Sequence, residues 1–468
     1  MKNRKLKGIL KSTTGLMAAV ILSMGTLTGC GSGDNSAKDG VTSEDITAEN
    51  IVDESNSADG SSLDESASQS GDRSDSQNSS QSGDQSDSQN ANQSGDQSDS
   101  QNSNQSGDIN NVQLPDTYPV YVLNETTAKL IGRNYISDDE LWCALSGSGA
   151  EFIYYGAKLD LTFLADGAKS SEGSRARVAV YIDGERVLDE MLDKEKETFT
   201  VYEGEAKEVT VQIVKLSEAA SSTLGIGAVI VADGEWIIPT EAKEHRIEFI
   251  GDSITCGYGV DDEVKEHHFS TATEDVTRAW AYKTAQLLDA DYSIFSYSGW
   301  GVISGYTGNS AQKSDSQLVP AVYEQLAFSY QQMDGSVNPQ DIKWDFAKYQ
   351  PDAVVINLGT NDASYCDNSD KKQEYVQGYV EFLKKVRKNN PNAYIFCALG
   401  TMGDSMLTSI KTAVQLYTEE TNDVNVSVIA LPVQNSADGY AADWHPTEKT
   451  HEKAAKVAAN EIKKVMGW

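Results

Sequence analysis

The chain has 468 residues and a formal charge of −33, from 71 acidic and 38 basic side chains. A surface this acidic repels nucleic acid and anionic lipid and favours neutral or cationic partners. The length allows more than one domain, and the four cysteines beyond Cys30 (Cys143, Cys256, Cys366 and Cys397) have no C-x-x-C spacing, which argues against a zinc site and leaves a disulfide or buried thiols open.

Lys2, Arg4, Lys5, Lys7 and Lys11 precede an apolar run over residues 15–27. The run is too short and broken for a comfortable membrane span and has the layout of a secretory signal. It ends in Leu27-Thr28-Gly29-Cys30, which resembles the lipobox of bacterial lipoproteins. That resemblance implies cleavage before Cys30, lipidation of its thiol and an extracytoplasmic bacterial protein anchored to the membrane through the lipid alone. A plain signal peptide cut near Gly29 is the alternative.

Residues 31–108 hold 17 acids, two bases and few large apolar side chains, leaving a charge of −23 from Ile109 onward. Three copies of a twelve-residue unit rich in Ser, Asp, Gln and Asn start at Ser70, Ser82 and Ser94. Such a segment cannot bury enough apolar surface to offset its ordering entropy. We expect a signal over 1–30, a disordered linker over 31–111, and folded domains over 112–241 and 244–468.

From residue 112 to 241 the pattern is of strands. Short β-branched and aromatic runs begin near Val120, Glu151, Leu159, Val178, Thr198, Val209 and Ile226, separated by turns such as Asp183-Gly184. Seven or more such runs predict an antiparallel sandwich, a jelly roll, with no catalytic constellation in it.

After Pro239 strands alternate with helices. Apolar strands are predicted over 246–250, 292–297, 352–358, 393–399 and 424–430, and helices over 278–288, 373–388, 406–418 and 448–466. Continuous apolar strands between helices mean a parallel sheet covered on both faces, a three-layer α/β sandwich. Four turns matter together: Gly251-Asp252-Ser253-Ile254, Ser298-Gly299-Trp300-Gly301, Gly359-Thr360-Asn361-Asp362 and Asp443-Trp444-His445-Pro446. Three follow strands directly, so they converge at one sheet edge. Together they offer the nucleophile, base and oxyanion donors that acyl transfer needs.

These turns resemble the four signature blocks of the SGNH (GDSL-like) hydrolases. The resemblance implies Ser253 as nucleophile, His445 as general base, and Gly299, Asn361 and the Ser253 N–H as the oxyanion hole, with no cofactor and no metal. A jelly roll ahead of this domain, with I-G-R at Arg133, G-D-S-I-T-C-G-Y-G and D-W-H-P-T-x-x-T-H, is similar to carbohydrate esterase family 2, covering residues 114–468. That implies an acetyl esterase acting on acetylated plant polysaccharides such as xylan or glucomannan. An ester of cell-wall glycan or lipid, or a polysaccharide-binding lipoprotein without turnover, are the competing readings.

The usual D-x-x-H aspartate position is Ala442 here; Asp443 lies two before His445. Either Asp443 orients the imidazole, or a backbone carbonyl does so and leaves a Ser–His dyad. Asp252 is expected to hold its turn and Asp362 its own loop. Trp300, Tyr306 and Trp444 flank the turns as candidate sugar contacts or core residues. His451 falls on a helix, packed or at the surface, and His267 and His268 lie in a polar loop without ligand spacing. A histidine base of ordinary pKa predicts loss of activity near pH ~6.5.

Overall fold

The longest strands, Gly149–Ala165 and Lys196–Lys215, pair antiparallel along most of their length. The computed structural model describes residues 118–468; the signal-like run, Cys30 and the repeats lie outside the described residues. Each long strand covers two of the predicted runs, because the register shifts at Gly156/Lys158 and Leu159/Asp160 without ending the pairing. Such bulges bend and twist a strand pair. One half of Gly149–Ala165 pairs with Lys129–Ile131 and Trp236–Pro239, the other with Leu224–Ile226. The nine strands thus close around a core that includes Phe152, Tyr154, Leu161, Phe163, Val180 and Val211. The expected all-β jelly roll is present, and the Asp183-Gly184 turn, both residues at positive φ, joins Arg177–Ile182 to Glu185–Met191.

The second half is a five-stranded parallel sheet. Its order is Ala290–Ser296, His245–Gly251, Ala353–Asn357, Tyr394–Thr401, Val426–Val433. Side chains alternate between its faces. Along Ala353–Asn357, Val354 and Ile356 join the core containing helices Ser369–Asn389 and Leu407–Thr421, whereas Ala353 and Val355 join the core containing Trp280–Leu287 and Glu448–Met466. Alanines 454, 455, 458 and 459 line the inner face of the last helix, so it packs closely on the sheet. This is the three-layer α/β sandwich. Among the described residues no helix is long and apolar enough to cross a membrane.

Residues 118–468 lie within one compact unit, and the two halves share core residues. Ala144, Leu145, Ala219 and Ala220 join one face of the parallel sheet; Ile131, Val214 and Leu216 join the other. Arg133 crosses the junction fully buried. It donates to the carbonyls of Tyr323 (2.7 Å) and Gln325 (2.6 Å) and pairs with Glu248 of the strand His245–Gly251 at 2.9 Å. Its guanidinium also lies 4.3 Å from the Phe295 ring centre. Removing one member of such a pair strands the other charge in the interior.

Candidate active site

Three adjacent strands deliver three of the four turns. In register, Gly251 sits between Ser296 and Asn357, so the chain leaves the sheet at one level in all three. Gly251 is required there, since a Cβ would lie 2.1 Å from Thr255 Oγ1. Asp252 then accepts from the Ile254 N–H at 3.1 Å and caps the helical turn Ser253–Cys256. Ser253 is the first residue of that turn, where the backbone N–H has no intrahelical partner. The expectation that Asp252 holds the turn stands.

His445 Nε2 lies 2.9 Å from Ser253 Oγ, although 192 residues separate them. Its Nδ1 faces the carbonyl of Ala442 at 3.2 Å. The Asp443 carboxylate makes no hydrogen bond to the imidazole, so the backbone carbonyl stands where a triad carboxylate would. Asp443 (φ 48°) and Trp444 (φ 62°) are both left-handed, a conformation that costs non-glycine residues energy. The turn aims the Ala442 carbonyl at His445 and the Asp443 carboxylate elsewhere. That carboxylate accepts from Tyr258 OH (2.6 Å) and the Phe269 N–H (3.0 Å) and meets His268 Nδ1 at 2.8 Å. Burial works against ionisation of Asp443, but these hydrogen bonds hold its pKa below the ordinary value.

Tyr258 is a site residue that the sequence reading missed. Its ring stacks on His445 with centres 3.8 Å apart and planes 20° apart. Burial raises the pKa of its phenol, so the hydroxyl stays protonated and donates to Asp443. Its signal was slight: the Tyr of G-Y-G, five residues after the serine. Burial under this ring lowers the His445 pKa to about 4. Burial thus favours the neutral imidazole and moves the expected acid limit below the ordinary histidine value.

Asn361 Nδ2 donates to the Trp300 carbonyl at 2.8 Å and approaches Asp252 Oδ2 at 3.4 Å, tying together all three strand-end turns. Gly299 has φ +81°, and a Cβ there would meet nothing within 4 Å, so backbone shape rather than crowding calls for glycine. Asp362 holds a neighbouring loop rather than its own: it accepts from the N–H groups of Val302, Ile303 and Ser304. Burial lifts the pKa of Asp362 to about 6 and that of Asp252 to about 7.

The three aromatics part company. Trp300 is 3% exposed and packs between Tyr297 and Phe328, so it belongs to the core. Tyr306 and Trp444 are exposed, and Lys265 Nζ lies 4.0 Å from the Trp444 ring centre. His451 is packed, its Nδ1 accepting from the Trp280 N–H at 3.2 Å and so capping the helix Trp280–Leu287. Cys143, Cys256, Cys366 and Cys397 are free and buried. Geometrically the edge provides a hydroxyl on a neutral imidazole, a fixed tautomer, and an amide beside them.

Residues 249–453 match the GDSL-like lipase/acylhydrolase family, and residues 130–240 match the carbohydrate esterase 2 N-terminal domain. The chain thus carries a GDSL-like lipase/acylhydrolase domain behind a carbohydrate esterase 2 N-terminal domain. It is 30% identical over 333 residues to the cellulase/esterase CelE of Acetivibrio thermocellus, covering 70% of the chain but only 38% of that protein. It is 24% identical to an acetylxylan esterase/glucomannan deacetylase of Cellvibrio japonicus, covering 77% of the chain and 95% of the relative. A family two carbohydrate esterase from Clostridium thermocellum, solved in complex with cellohexaose, superposes with a TM-score of 0.62 at 29% identity over 73% of this chain and 99% of that one.

Proposed function

We propose that the chain is a serine esterase that releases acetate from O-acetylated plant polysaccharides, acetylated xylan or glucomannan, through an acyl-enzyme. The observation that carries this is the 2.9 Å contact between Ser253 Oγ and His445 Nε2, with Nδ1 held on a backbone carbonyl. The Ala442 carbonyl does what a triad carboxylate otherwise does: it keeps the proton on Nδ1 and leaves Nε2 free to accept. The names of the similar proteins support the substrate class.

In the first step Ser253 Oγ attacks the acetyl carbon while its proton passes to His445 Nε2. The carbonyl oxygen becomes an oxyanion facing the Gly299 and Ser253 N–H groups and the Asn361 amide. On collapse the sugar hydroxyl leaves with the proton from His445. Water, deprotonated by the same nitrogen, then attacks the acetyl-serine and releases acetate. The exposed rings of Tyr306 and Trp444 would stack on sugar faces near this edge.

The test is acetate release measured in parallel from acetylated xylan, acetylated glucomannan and O-acetylated peptidoglycan, with Ser253→Ala beside the wild type. Release from the plant glycans that vanishes in Ser253→Ala is expected. Wild-type release by that variant, or turnover of peptidoglycan alone, would refute the reading.

We further infer that Cys30 carries a lipid anchor and that the repeat segment spaces the enzyme from the membrane. The support is the Leu27-Thr28-Gly29-Cys30 run and the polar repeats after it. Labelled fatty acid should be incorporated by the wild type and not by Cys30→Ser; equal labelling of both excludes the anchor.

A further inference from the structure

Glu218, in the segment that follows the long strand Lys196–Lys215, crosses from the β half into the ground beneath the candidate site. Its Oε2 accepts from the Ser298 N–H at 2.8 Å, and the Cys256 thiol lies 3.5 Å from the same oxygen. Ser298 immediately precedes Gly299, and Cys256 closes the helical turn that begins at Ser253. One carboxylate from the first half thus touches both the nucleophile's turn and the turn carrying a proposed oxyanion donor.

The hydrogen bonds around Gly299 give this contact its meaning. The Gly299 N–H belongs to the Ser298–Gly299 peptide, which makes no backbone or side-chain hydrogen bond among the described residues. Both flanking peptides are tied. The one before it has its N–H on Glu218 and its Tyr297 carbonyl on the Trp300 N–H at 3.3 Å. The one after it has its Gly299 carbonyl on the Tyr306 N–H at 2.7 Å. A peptide between two fixed neighbours keeps its plane, so its N–H stays aimed outward without holding a partner of its own. At φ +81° that backbone has few alternatives of comparable energy only because its neighbours are held; glycine alone would leave it free.

Glu218 is itself fixed. Its N–H donates to Glu274 Oε2 at 2.7 Å, and the buried Lys215 ammonium donates to its carbonyl at 3.1 Å. Side-chain atoms of Glu218, Cys256 and Glu274 all lie within 4.8 Å of one another. Burial, and then the Glu218 charge, raise the Glu274 pKa well above the carboxylate range. The carboxylate oxygens of Glu218 and Glu274 that bond Ser298 and Glu218 N–H are already committed within the protein, so the cluster serves as hydrogen-bonded scaffolding.

We propose that Glu218 is a positioning residue for the esterase, contributed by the β half, which sets the Ser298–Gly299 peptide for the oxyanion. The proposal rests on the reading of Gly299 as an oxyanion donor. Its signature is a loss in turnover without a loss in substrate binding, because the oxyanion exists only beyond the ground state.

The experiment compares wild type, Glu218→Gln, Glu218→Leu and Ser253→Ala on 4-nitrophenyl acetate and on acetylated glucomannan. It also measures inhibition by a small alkyl boronic acid, which forms a tetrahedral adduct with the serine. Glu218→Leu should lose ~10²-fold in kcat, the scale of one oxyanion donor, with KM within about twofold and boronate affinity falling in step with kcat. Glu218→Gln keeps an oxygen acceptor and should restore kcat to within roughly tenfold of wild type while still below it, since the charge-assisted bond is gone. If Glu218→Leu does not fold, Glu218→Gln decides by the same ratios. Wild-type kcat in the folded variants, whatever their melting temperature, overturns the proposal. So does a kcat loss with unchanged boronate affinity. If Ser253→Ala also turns over normally, the esterase reading itself has failed; if it is inactive while the Glu218 variants are normal, only the role of Glu218 has.

Discussion

The sheet edge at Ser253 and the junction at Arg133 are both buried and polar, yet they are built in opposite ways. At the edge, Ser253, Gly299 and Asn361 sit in short turns after adjacent strands, whose order brings them together, and His445 reaches them from the turn before the last helix. At the junction, Arg133, Glu248, Glu218 and Glu274 lie outside the four turns, and each meets a partner far along the chain, although Arg133 Nε and Glu274 Oε1 are buried without one. The edge is held loosely enough to react: His445 has one backbone partner and one serine. The junction is held for rigidity, with every strong charge paired or hydrogen-bonded. The difference teaches that the chemistry is modular while its support is not, because the support straddles both halves of one unit.

The contrast can be broken first at the edge. Ser253→Ala should cut acetate release by ~10⁴-fold or more while leaving the fold intact; circular dichroism beside the acetate assay checks both. At the junction the largest effect should be on folding. Arg133→Ala should cost ~3–5 kcal/mol of stability, because Glu248 is left buried without its partner, and denaturant unfolding reads it. Arg133→Met combined with Glu248→Gln should recover much of that loss, which would separate charge burial from packing. Asn361→Ala removes a donor and should lose ~3 kcal/mol of transition-state stabilisation, or ~10²–10³ in kcat, with some loss of melting temperature because the Trp300 carbonyl is left without its partner.

A smaller effect sharpens the comparison within the edge. Asp443→Asn leaves the Ala442 carbonyl in place and weakens the contacts to Tyr258, His268 and the Phe269 N–H, none of them on the reacting atoms, so kcat should fall by about tenfold or less. A true triad aspartate costs far more, ~10⁴-fold, and a loss of that size would restore Asp443 to the triad. The smallest perturbation is pH. Burial depresses the His445 pKa, so the base stays neutral as pH falls and protonates only at about 4. The acid limb of kcat/KM should therefore lie near 4, and a limb near the ordinary histidine value would show that the ring is solvated in the working enzyme.

The alternation of apolar strands and helices after Pro239 specified the parallel sheet, since strands buried on both faces must read as continuous hydrophobic runs. Observed strands and predicted ones agree to within a few residues; His245–Gly251 was expected at 246–250. The β half was less legible. The runs at Glu151 and Leu159 are one strand, because Gly156 and Lys158 look like a turn in sequence but are absorbed as a bulge opposite Lys207 and Glu203.

Ser253, His445, Gly299 and Asn361 could be proposed from the sequence because they sit in turns that match a family's signature blocks, and turns announce themselves through Gly, Asp, Ser and Asn. What orients His445 could not. The choice between Asp443 and the Ala442 carbonyl depends on two left-handed residues in succession, and residue type alone does not dictate that conformation. Tyr258 over the imidazole, Trp300 against Phe328 and Glu218 on the Ser298 N–H are contacts between segments distant in sequence. Local pattern determines where a strand ends in a reactive turn; only the packed fold decides which buried groups hold that turn still.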